Sequence, residues 1–167
     1  PKTSAPMLSQ TNIKTINQRC LELVRKLACI DVVRKECCDP ILTWSTKERD
    51  PPVALEDDPV GLCWSILRQG GALCHLLNKL RANTIDSIKD IDEPLSVDFF
   101  LRNKSSRENM MTFLKACKEE LYMTDDQLFM PSDLYTTNTN ALTKAVDIAE
   151  KFMKKIYDTQ RFNWDKK

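Results

Sequence analysis

The chain has 167 residues, 42% hydrophobic and 29% charged, with a formal net charge of +1. That is enough apolar material for one core and one domain. The near-neutral charge, spread along the chain without a basic stripe, excludes a strong nucleic-acid field. No apolar run approaches the ~20 residues that span a bilayer, and no signal peptide opens the chain, so a cytoplasmic protein without a membrane span is expected.

Residues 1–10 are polar and hold Pro1 and Pro6, which predicts a flexible N-terminal segment. A first helix follows, with Ile13, Ile16, Cys20, Leu23, Val24 and Leu27 at three- and four-residue steps and Thr11 as its cap. From Ile30 to Asp57 the periodicity fails, and Pro40, Pro51 and Pro52 predict a long loop tacked to the core by Ile41, Leu42 and Trp44.

Two short helices come next. Asp58 caps one that opens on Pro59, whose missing N–H costs nothing in a first turn. Gly70-Gly71 breaks the pattern. The second helix carries Leu73, Leu76, Leu77 and Leu80 with Ala72 and Cys74 beside them. Only His75, Asn78 and Lys79 form a polar stripe, so this helix is expected at the centre of the fold.

Between Thr84 and Phe100, Asp90, Asp92, Glu93 and Pro94 speak against a strand and predict an irregular connection. Ser105 and Glu108 read as a capping box for a helix burying Met110, Phe113, Leu114, Cys117 and Leu121. Thr124 and Gln127 read as a second box before Leu128, Phe129 and Pro131. The last large helix runs from about Asn138 to Ile156, with Leu142, Ala145, Val146, Ala149, Phe152, Met153 and Ile156 inward. The expected division is a flexible segment at 1–10, one domain at 11–157 and a tail or linker at 158–167. A chain opening on Pro1 and closing on Asp165-Lys166-Lys167 is expected to be a piece of something longer.

The residues name no chemistry. Three glycines leave no phosphate-binding loop, and the single His75 cannot make a two-histidine metal site. The seven cysteines are odd in number; Cys20, Cys29, Cys63, Cys74 and Cys117 fall mostly on apolar helix faces, and Cys37-Cys38 is a vicinal pair. Neither a catalytic residue, a cofactor nor a metal is expected. Trp44 and Trp164 are the candidate partner-binding residues, as aromatics in a loop and a tail.

Three stretches carry a resemblance. Gly70 to Leu80, Arg107 to Cys117, and Leu128-Phe129 with Asp133-Leu134-Tyr135 resemble, in order and spacing, the signatures of calponin homology domains. The resemblance covers about Ile13 to Phe152 and implies an all-α fold of four main helices joined by short ones. Asp58-Pro59-Val60 and the run from Leu67 to Cys74 are similar to the single N-terminal domain of fungal cell-division-cycle exchange factors of the Dbl class, and to that of the Vav factors. The resemblance implies a monomeric regulatory domain of a Rho-family guanine-nucleotide exchange factor that sets cell polarity. Its partners would be other domains of the parent, a Ras-type GTPase or a polarity scaffold at the cell cortex. The alternative is an actin-filament-binding module. Against actin stand the missing first-helix tryptophan, replaced around Leu21 to Leu23, and the lack of a counterpart to the lysine-containing surfaces of tandem actin-binding domains.

Overall fold

The computed structural model describes residues 13–91, 103–135 and 138–165, with side chains up to residue 160. Among the described residues all regular structure is helical, in seven helices. Helix α1, Ile16–Leu27, starts at Thr15, whose hydroxyl accepts from the Gln18 amide at 3.2 Å while the Gln18 side chain takes the Thr15 amide at 3.0 Å. This reciprocal pair satisfies two of the N–H groups a helix start leaves open. The expected cap, Thr11, lies outside the described residues. Because the helix starts later, Ile13 and Ile16 point to solvent instead of the core.

The expected loop from Ile30 to Asp57 is largely a helix. Helix α2 covers 31–48 without a break, as Asp31–Val33, a π-helical stretch at Arg34–Cys38, α-helix at Asp39–Thr43 and a second π-helical stretch at Trp44–Glu48. Ser45 then holds the chain that follows. Its hydroxyl donates to the Val53 carbonyl at 2.7 Å, and the Val53 amide returns a bond to the Ser45 carbonyl at 2.9 Å.

Helix α3, Pro59–Arg68, opens as expected on Asp58, whose carboxylate accepts from the Gly61 amide at 3.0 Å. Helix α4, Gly71–Leu80, buries Leu73, Cys74, Leu76 and Leu77. It lies between α5, Lys104–Leu121, and α7, Thr139–Asp165, while α1 packs on α3 and α7. Burial of Leu73, Leu76 and Leu77 contributes about 1.5–3 kcal/mol each before entropy is subtracted. Arg19 of α1 reaches both Asp147 and Glu150, pinning α1 to α7.

Two more caps differ from expectation. Helix α5 is capped by Asn103, which accepts from the Ser106 amide at 2.7 Å, so Ser105 and Glu108 lie inside it and Glu108 faces Lys104. At Thr124 the Gln127 side chain does take the Thr124 amide, at 2.9 Å, but the segment is a turn. Helix α6, Pro131–Leu134, is a single turn that buries Leu134. Asn138 immediately precedes α7, and its side chain accepts from the Asn140 and Ala141 amides. The helix buries the whole predicted stripe from Leu142 to Ile156 and continues to Asp165.

Candidate functional site

The residues that carry the resemblance hold the fold together. Gly70 sits at φ 76°, in the left-handed region, directly against α5: a Cβ there would lie 2.7 Å from Asn109 Cβ and 2.8 Å from the Met110 amide nitrogen. Asn109, almost fully buried, ties the α3–α4 turn to the segment after α4. Its amide donates to the Gln69 carbonyl at 3.2 Å and the Lys89 carbonyl at 3.0 Å, and its oxygen accepts from the Lys89 amide at 2.8 Å. Asn78 clamps Ile85 by the same two-bond pattern, at 3.0 and 2.8 Å. The carbonyls and amides of an irregular segment are thus paired by side chains where no ladder exists to pair them.

A second tie joins α3 to α6. Trp64 Nε1 and Arg68 Nε both donate to the Leu134 carbonyl at 2.8 Å. The Arg68 guanidinium lies 4.3 Å from the Trp64 ring centroid, and the Tyr135 hydroxyl donates to the Arg68 carbonyl at 3.2 Å. Burial pulls the Arg68 guanidinium down and pushes the Tyr135 hydroxyl up from their ordinary values. His75 contacts Glu36 at 2.9 Å, linking α4 to α2.

All seven cysteines are unpaired by disulfides, and Cys29 is the one that is exposed. Burial pushes the Cys38, Cys74 and Cys117 thiols up to about 12, and Cys37 higher still. Such thiols stay protonated and unreactive at neutral pH. Among the described residues no cluster of His, Cys, Asp or Glu could hold a metal ion, and no helix is long and apolar enough to cross a membrane.

What the surface offers is a groove of about 1070 Å³ with three walls. One is the α5 face made by Met111, Leu114, Lys115 and Lys118, another the segment from Asp125 to Pro131, and the third the start of α7 at Ala141 and Lys144. Leu114, Leu128, Phe129 and Ala141, each almost fully buried, give it an apolar floor. Met111 and Met130 stand at its rim, 58% and 64% exposed. Of these residues the sequence pointed to Leu114 as core and to Leu128, Phe129 and Pro131 as one short segment, without bringing them together; the exposure of the two methionines is a signal that only the fold reveals.

Trp44 lies in the second π-helical stretch of α2, half-buried, with the Arg49 guanidinium 5.5 Å from its ring centroid. It is far in sequence from the groove and does not line it. Trp164 falls in the last turns of α7, and its side chain lies outside the described residues.

Residues 58–153 match the family described as CDC24 Calponin. The Rho guanine nucleotide exchange factor scd1 of Schizosaccharomyces pombe is 28% identical over 151 residues, 86% of this chain and 16% of that protein. Cell division control protein 24 of Saccharomyces cerevisiae is 24% identical over 102 residues, 61% of this chain and 11% of that protein. The human guanine nucleotide exchange factor VAV3 is 42% identical over 69 residues, 41% of this chain and 8% of that protein. The chain therefore spans about a sixth or less of the length of these relatives. No solved structure matches it significantly.

Proposed function

We propose that this chain, which belongs to the CDC24 calponin homology family, is a regulatory protein-interaction domain of a Rho-family guanine-nucleotide exchange factor and does not itself catalyse exchange. The observation that carries the reading is the match to scd1 over nearly the whole chain, a protein named for Rho guanine nucleotide exchange of which this chain covers only a small part. The buried, protonated thiols and the placement of His75 and Asn109 in structural ties fit a domain whose output is contact. The contacts would be with other domains of the parent, a Ras-type GTPase or a polarity scaffold at the cell cortex, with Trp44 and Trp164 as further contact residues.

The test is release of a fluorescent nucleotide from a Rho-type GTPase. The purified chain is expected to leave release at its intrinsic rate, and to be captured by the downstream exchange region of its parent. Acceleration by the chain alone would overturn the reading.

A further inference from the structure

We propose that the groove between α5, the 125–131 segment and the start of α7 docks a short acidic segment of a partner protein, which sets large apolar side chains on the floor and carboxylates against Lys115 and Lys144. The inference rests on the protein-interaction reading above and gives that reading a surface and a partner chemistry.

The shape comes first. Met111, Leu114, Lys115 and Lys118 occupy one face of α5 over about two turns, a wall of roughly 10 Å, which suits two turns of a docked helix or a few extended residues. Isolated exposed apolar side chains need no explanation, but Met111 and Met130 border the same apolar-floored groove. Their unbranched thioethers adapt to the shape of what enters.

Charge selects the occupant. Lys118 is already paired with Asp125 at 2.8 Å, which removes one cation and one anion from the groove's balance. Lys115 is exposed and has no carboxylate partner among the described ion pairs. Lys144 is half-buried, and its ammonium donates to one acceptor, the Leu128 carbonyl at 3.3 Å, out of the three bonds it is built to make. Asp133, the remaining acid of the lining, lies within α6 and has interactions of its own. The groove therefore presents two cations with donors to spare over an apolar floor, and the complementary segment is acidic and apolar.

The probe is a fluorescein-labelled glutamate-rich peptide with a pair of leucines one helical turn apart, titrated into the folded chain. Anisotropy gives affinity, and the methionine methyl resonances locate the site. Saturable binding is expected, shifting Met111 and Met130 while leaving the buried Met110 and Met153 in place. Lys115→Glu with Lys144→Glu should weaken binding by about tenfold or more, and Lys115→Glu alone, on an exposed position that cannot disturb folding, by a smaller factor. A matched peptide with lysines for the glutamates should not bind.

No saturable binding, equal binding of the lysine peptide, indifference to the charge reversals, or shifts at other methionines would each overturn the proposal. So would sedimentation showing a dimer that shifts the Met111 and Met130 methyls without peptide, since the occupant would then be a second copy. Any of these would leave the regulatory reading standing, because that reading is judged by nucleotide release and by capture of the downstream region.

Discussion

Two adjacent glycines should respond oppositely to the same substitution. Gly70→Ala forces a side chain into the left-handed region at φ 76°, which costs about 1–2 kcal/mol. The new Cβ would also meet the Met110 amide nitrogen at 2.8 Å and Asn109 Cβ at 2.7 Å. These atoms belong to or hang directly from the α5 backbone, so relief requires the two helices to part, an overpacking cost of about 1–3 kcal/mol. Loss of unfolded-chain entropy returns about 0.4–1 kcal/mol, leaving a net destabilisation of roughly 1–5 kcal/mol. At Gly71 the nearest atoms to a Cβ are Cys37 Sγ and Ile88 Cγ2, both at 3.6 Å, ordinary contact, and φ is not positive. Gly71→Ala should be neutral or stabilising by up to about 1 kcal/mol through helix propensity. Urea unfolding of both variants, with unchanged slopes, is the assay. Equal effects at the two positions, or a Gly70→Ala loss under about 1 kcal/mol, would refute the claim that Gly70 is required for the approach of α4 to α5.

Asn109→Ala deletes three hydrogen bonds to backbone groups and should cost about 3 kcal/mol, with faster hydrogen exchange at the Lys89 amide; unchanged exchange there would mean the segment is held by something else. Tyr122 caps α5 at φ 55° and is 85% exposed, so Tyr122→Gly should stabilise by up to about 1 kcal/mol in thermal melts; destabilisation would show that the ring has a packing role. The buried thiols set an alkaline limit. In the unfolded chain they lose protons from about pH 9, while Cys38, Cys74 and Cys117 hold theirs to about 12, so stability is intact below 9 and falls as pH rises toward 12. A urea midpoint that stayed flat from about pH 8 to 10.5 would contradict it. Co-sedimentation with actin filaments at near-physiological salt is expected to leave the chain in the supernatant, and saturable pelleting would restore the cytoskeletal alternative.

The helices whose buried faces repeat at 3.6 residues were legible at once. In α4 and α7 each predicted inward residue is at least half-buried, because one apolar stripe is the simplest thing a sequence records. Helix α2 shows why the rest was not. Of its buried residues Val33, Cys37, Cys38, Ile41 and Ser45, all but Cys38 recur every four residues, a spacing that drifts off one face of an α-helix within a few turns. Here α-helical and π-helical stretches alternate, and the wider turns bring the average repeat close to four, so the stripe stays on one side. Pro40 strengthened the loop reading, yet it stands in the first turn of the α-helical stretch after a π turn, where the bonding step changes and a missing donor is tolerated. The cap of α5 was misplaced by two residues for a related reason. Asn103 and Ser105 are both good caps within one turn, and the capping residue is the one whose amide target the fold exposes.

The groove was illegible on different grounds. Its walls come from three separated segments, and its informative feature is that Met111 and Met130 are exposed, whereas an apolar residue on a helix is read as core until neighbours are placed. The signature residues Gly70, Asn78, Asn109, Leu134 and Tyr135 are occupied by helix approach, by backbone groups, or by the Trp64–Arg68 tie. A side chain whose donors and acceptors are spent inside the fold has little left to offer a partner. Resemblance through such residues therefore transmits the scaffold and is silent on what the scaffold binds. Substituting them would weaken binding by destabilising the domain, and the loss would be read as function. Lys115, Met111 and Met130 are exposed and have no structural duty in the core, while Lys144 spends one donor on the Leu128 carbonyl and keeps others unspent. A change at Lys115, Met111 or Met130 that alters a partner's affinity while the urea midpoint stays fixed separates recognition from folding, which no substitution of Gly70, Asn78, Asn109, Leu134 or Tyr135 can do.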